Sequence, residues 1–179
     1  MAVETTDAPV MSLRQRLIRS ADVADEPETS EFFKGDRARH WGETLQGDDS
    51  PTGRPRILIN HDKYRTAGVH DGYQEKAVLG EALHLLKVEE PDRWLRMRDK
   101  ALADPKYRAW VEHSYQLEGD QRSFDDWHDR SRFDQIIGGY LFAKDPAFPT
   151  MKHWDRKAMP FGPALTEELE QLRKELQID

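Results

Sequence analysis

Tyr73-Gln-Glu-Lys-Ala-Val-Leu-Gly-Glu-Ala-Leu-His-Leu-Leu-Lys-Val-Glu-Glu-Pro91 is the densest apolar run in a chain that is otherwise polar. Val78, Ala82, Leu85 and Leu86 fall on one side at helical spacing, and Leu79 and Leu83 widen that side into a broad stripe. A strand would alternate with period two, and this stretch does not. The spacing predicts a helix packed on two neighbours, ending before Pro91 because the residue ahead of a proline is pushed out of the α region.

Beyond it, Pro91 opens a second helix with Trp94, Met97 and Ala101 on one face. Asp104-Pro105 ends that helix and starts another, with Tyr107, Trp110, Val111 and Tyr115 inward. Two Pro-started helices joined by a tight turn read as an αα-hairpin. Ser123, with Asp126 three residues on, caps a longer helix from Phe124 to about Ala143, whose inner set runs through Trp127, Phe133, Ile136, Ile137, Tyr140 and Leu141. Gly138-Gly139 costs that helix about 1 kcal/mol per glycine and reads as room for close packing in preference to a ligand loop. Residues 145–163 mix four prolines with Phe148, Met151, Trp154, Met159 and Phe161, a strap across the helical body. Leu165, Leu169, Leu172 and Leu176 then mark an amphipathic helix that packs in cis or forms an oligomer seam.

Before the central helix, Arg54-Pro-Arg-Ile-Leu-Ile-Asn60 is the one convincing strand, and its partner is either in the preceding segment or in another chain. His61–Gly72 reads as an irregular loop. Residues 21–53 read as acidic and turn-rich, interrupted by Phe32, Phe33 and Trp41, which a solvated linker would not need. Ser12 caps a short helix, Leu13–Arg19, too short to persist undocked. The expected fold is therefore mainly α. A helical domain over 54–179, with one short strand or hairpin, follows an extended, acidic and partly disordered arm over 1–53.

Across all 179 residues, 34% are charged, 37% are hydrophobic and the net charge is −7, so the core must be concentrated in part of the chain and a general nucleic-acid surface is disfavoured. With no cysteine, disulfides, thiolate metal sites and a cysteine nucleophile are all excluded. No apolar run reaches the roughly 20 residues of a membrane span, and the N-terminus lacks a signal-peptide core.

The chemistry in the pattern is incomplete. His-Glu-x-x-His binds zinc because residues four apart share a helix face, while the glutamate activates water. Here Gly80 stands where the first histidine would be, ahead of Glu81 and His84. His61, His70, His113, His128 and Glu118 are possible substitute ligands, none selected by spacing. A second group, Asp125, Asp126, His128, Asp129 and Asp134, crowds one helix and has the residue types for a cation or acid–base site, although such runs are usually solvated faces.

Gly80-Glu-Ala-Leu-His-Leu-Leu-Lys87, Pro91-Asp-Arg-Trp94, Arg132-Phe-Asp-Gln-Ile-Ile-Gly-Gly-Tyr-Leu141 and Phe161-Gly-Pro163 resemble the metallopeptidase-like, zincin-like domains of large polyvalent and virion-associated proteins of phages and mobile elements. The likeness spans about 54–176, and the Gly80 departure agrees with lost catalysis. It implies a virion protein or one of the host cytoplasm. The expectation is a non-enzymatic structural or interaction protein with no cofactor. It would contact virion subunits or its own copies through Phe32, Phe33, Trp41, Trp154 and Phe161, with nucleic acid disfavoured as a partner. The alternatives are a zinc hydrolase using Glu81 as base and His84 as ligand, and an acidic inhibitor of a host protein.

Overall fold

Ile57, Leu58 and Ile59 are all buried, because the strand that carries them, β3 (Arg56–Ile59), is covered on both faces. The computed structural model describes residues 9–69 and 72–179. In it β3 is the middle strand of three: β1 (Asp22–Val23) runs parallel on one side and β2 (Gly42–Leu45) antiparallel on the other. Ile57 and Ile59 face the main core, and Leu58 faces a smaller cluster with Ala24 and Phe33.

Both outer strands come from the segment expected to be an extended arm, and over residues 9–53 that expectation is corrected. Helix α1 (Leu13–Arg19) has the expected start, with Ser12 and Gln15 forming a reciprocal capping box. It buries Leu13 and Leu17 in the main core. Arg14 pairs with Glu75, and Arg16 reaches Glu90 at 2.5 Å. Helix α2 (Glu26–Phe32) is capped by Asp25 and carries Pro27 in its first turn. The acidic run is matched by cations of the body: Glu28 pairs with Arg56, and Glu26 with Arg65 at 2.7 Å. Single exposed pairs of this kind contribute about 0–1 kcal/mol, so the apolar contacts and the strand pairing carry the docking. Disorder is expected over residues 1–10; of these, residues 1–8 lie outside the described residues, as does His70 as a candidate ligand.

The loop expected over 61–72 is corrected over its first six residues. Asn60 is buried, accepts from the Lys63 amide and so starts α3 (His61–Thr66), while its side-chain amide donates to the His40 carbonyl at 2.9 Å. The central helix begins at Tyr73 and stops short of Pro91 as expected, but it is not continuous. It comprises α4 (Tyr73–Ala82), a tighter 3₁₀ turn at Leu83–Leu85, and α5 (Leu86–Glu89). The pitch changes where a foreign donor enters: the Thr44 hydroxyl lies 3.0 Å from the Glu81 carbonyl oxygen.

Helices α6 (Pro91–Ala103) and α7 (Pro105–Glu118) form the expected hairpin, with Asp104 accepting from the Lys106 and Tyr107 amides. The helix expected over 124–143 is α8 (Phe124–Trp127), a π turn at His128–Arg132, and α9 (Phe133–Leu141). The wider turn moves the inward set from Trp127 and His128 to Phe133, Ile136, Ile137 and Tyr140. Asp134 is left beside that set, not within it. Residues 144–162 cross the helical body, and α10 (Pro163–Glu175) packs in cis on α6 and α9 through Leu165, Leu169 and Leu172. The fold is mainly helical. Among the described residues no helix is long and apolar enough to cross a membrane.

Candidate functional site

Side chains alternate along β2, so Gly42 and Thr44 share one face, and that face meets α4 at Glu81. Any Cβ at position 42 would collide with the Glu81 carboxylate, so glycine there is what lets the helix carry an acid against the strand. The Thr44 hydroxyl is 2.9 Å from Glu81 Oε2 as well as 3.0 Å from the Glu81 carbonyl. One turn on, His84 sits in the tightened segment with its two ring nitrogens addressed by different acids. Nε2 is 3.9 Å from Glu81 Oε2, and Nδ1 is 3.7 Å from Asp134 Oδ2. Asp134 is in turn fixed by the indole N–H of the fully buried Trp94, at 2.9 Å.

Glu81, His84 and Asp134 border a pocket of about 140 Å³. Trp41, Tyr64, Phe142 and Phe148 form its aromatic walls, and Pro149 to Met151 of the crossing segment close one side. Trp41 packs edge-on against Tyr64, with ring centres 4.9 Å apart, and Phe148 stacks on Phe142 at 4.1 Å. Burial is the largest influence on the Glu81 carboxyl and pushes its pKa up, with the His84 charge and the Thr44 hydrogen bond opposing. Burial alone would push His84 down; Asp134 and the Glu81 charge outweigh it and hold the imidazole above its ordinary value. The Tyr64 hydroxyl is pushed up by burial and by the neighbouring Glu81 charge.

A catalytic zinc would need three protein donors, and the residues present do not fit it. A Cβ at Gly80, where the first histidine would stand, lies 2.7 Å from the Phe148 ring, so the space an imidazole needs is taken. Among the described residues no three His, Asp or Glu side chains converge as a metal group. The substitute ligands are engaged or placed elsewhere: His61 Nδ1 is 2.9 Å from the Tyr73 hydroxyl, Glu118 accepts from the Trp127 indole, and His113 is exposed on α7.

The second constellation is dispersed. Asp125 is exposed and Asp126 pairs with Arg130. Asp129 bridges Arg98 and His128 at 2.8 and 2.9 Å, and Asp134 turns into the pocket. His128 is wholly buried between Phe124 and Phe133, with Nε2 2.9 Å from the Tyr107 hydroxyl. Burial, the largest influence, lowers its pKa against the raising effect of Asp129.

The five aromatics expected to meet other chains all have partners within this one. Phe33 is buried beside Leu58, and Phe32 stacks edge-on against it under Arg37. Trp41 lines the pocket, Trp154 lies on Gly139, and Phe161 packs between Tyr107 and Tyr140. Sequence reasoning did not join Asp134, Thr44 and Tyr64 to Glu81 and His84. For Asp134 a signal existed: Gly138 lies four residues on, so a carboxylate shares its helix face with a missing side chain, which is how a helix lines a cavity. Comparison with family models, with curated proteins and with solved structures finds no match.

Proposed function

We propose that this chain acts by binding, as a structural or interaction protein, and that the pocket among Trp41, Tyr64, α4, α9 and residues 148–151 is a surface it binds with. The observation that carries this reading is the placement of His84 between Glu81 and Asp134, with Phe148 where a second helix donor would be. Two acids, an imidazole and aromatic walls are present, with Phe148 in place of a second histidine ligand, a set suited to holding a group. A phage particle or mobile element as the setting, and virion subunits or copies of this chain as partners, belong to the same proposal and rest on the motif likeness.

The test is hydrolysis. Purified chain is expected to leave peptide and ester substrates at the background rate, with or without added zinc. Zinc-dependent turnover abolished by Glu81→Gln would replace binding with the hydrolase reading.

A further inference from the structure

The pocket has a charge to satisfy. Two carboxylates, Glu81 and Asp134, flank one imidazole, so with both acids ionised and His84 protonated the group carries one net negative charge. Asp134 has a committed donor in the Trp94 indole. Among the described residues the Glu81 carboxylate has one hydrogen-bond donor, the Thr44 hydroxyl, with His84 Nε2 farther off at 3.9 Å, and a hydroxyl carries one proton for the two oxygens it approaches. A carboxylate mostly withdrawn from water, 19% exposed here, and short of donors is costly, and a cation that brings several relieves that cost.

Size and walls narrow the cation. An engineered cavity of about 150 Å³ holds benzene, so about 140 Å³ takes a group smaller than that ring with its first methylene. Trp41, Tyr64 and Phe148 offer aromatic surface to it. A compact ammonium is strongly hydrated and gives up its water reluctantly. A guanidinium is planar, weakly hydrated, stacks on aromatic faces and presents a fork of N–H donors that matches a carboxylate.

We propose that this pocket is an arginine socket: it receives the guanidinium of an arginine side chain from a protein partner, which stacks among Trp41, Tyr64 and Phe148 and donates to Glu81. This deepens the binding reading above and rests on it. The occupant is a protein's arginine because the interaction reading supplies a protein partner and the charge left at Glu81 selects a cation.

The experiment titrates the full chain with N-acetyl-arginine methylamide and, separately, with its citrulline counterpart, a neutral molecule of nearly the same shape, followed by NMR and calorimetry. The arginine compound is expected to bind at least ten-fold more tightly and to shift Trp41, Thr44 and Gly138 first. Glu81→Gln should weaken it ten-fold or more. Trp41→Leu, which keeps both acids, should weaken it several-fold and covers the case in which Glu81→Gln does not fold. Equal binding of the citrulline compound, or shifts confined to residues away from the pocket, overturns the socket. Free methylguanidinium binding as tightly as the arginine compound would make the occupant a small cation and overturn the protein source. Failure of all these compounds in a metal-free, catalytically silent chain sinks the socket alone. Zinc-dependent hydrolysis sinks the binding reading beneath it.

Discussion

The Thr44 hydroxyl lies 2.9 Å from the Glu81 side chain and 3.0 Å from the Glu81 backbone carbonyl, so one atom of β2 serves both the helix geometry and the pocket acid. Removing it leaves two acceptors under-satisfied where water is scarce, at a cost of about 1–3 kcal/mol. Thr44→Val should lower the urea midpoint by the corresponding amount, and Thr44→Ser should stay near wild type. Equal midpoints for Val and Ser would show that the hydroxyl contributes nothing.

The adjacent glycines of α9 should respond with opposite signs. Nothing lies within 4 Å of a Cβ at Gly138, whereas one at Gly139 would stand 2.6 Å from the Trp154 ring. Gly138→Ala should stabilise by up to about 1 kcal/mol through helix propensity. Gly139→Ala should destabilise by about 1–3 kcal/mol, because Trp154 must move. Thermal unfolding of the two variants checks the contrast, and matching signs would refute the placement of Trp154.

Restoring the missing histidine should not restore a metal site. Gly80→His meets Phe148, so it should destabilise by about 1–3 kcal/mol. In a Phe148→Ala background the same substitution should cost at least about 0.5 kcal/mol less, the coupling expected of residues in contact. Additive costs in the double-mutant cycle would mean that the two positions do not touch.

The two inner histidines should titrate to opposite sides of 6.5. His84 is held above that value, so its contribution to stability is full below 6.5 and is lost as pH rises through its folded pKa. His128 is held below, so its contribution is full above 6.5 and is lost as pH falls towards its folded pKa. The Cε1–H shifts should show the two midpoints on either side of the free value. His84→Gln and His128→Gln should each remove one arm of the stability profile. Midpoints on the same side would contradict the arrangement of acids around His84 or the burial of His128.

Much of the helical frame was legible because it obeys local rules. The Ser12 and Ser123 caps, the Asp104-Pro105 hairpin turn and the leucine spacing of α10 all announce themselves in sequence and recur in the fold. The sheet was half legible. β3 is a continuous apolar run, but β1 is two residues long and β2 contains Gly42 and Thr44 where an apolar alternation would be sought. Those two residues are explained only by Glu81, 37 positions beyond Thr44, a separation no local pattern reports. Asn60 and Asp25 did carry cap signals, obscured by the charge around them. At the site, Glu81 and His84 were found from spacing, whereas Asp134 depended on the π turn, whose extra residue has no signature in composition.

Native mass spectrometry of the purified chain reads assembly mass and bound metal from one spectrum. The binding account predicts a metal-free chain, alone or as an oligomer, under non-denaturing conditions. One zinc per chain, lost in His84→Ala, would contradict it and make Glu81 and His84 a working metal site.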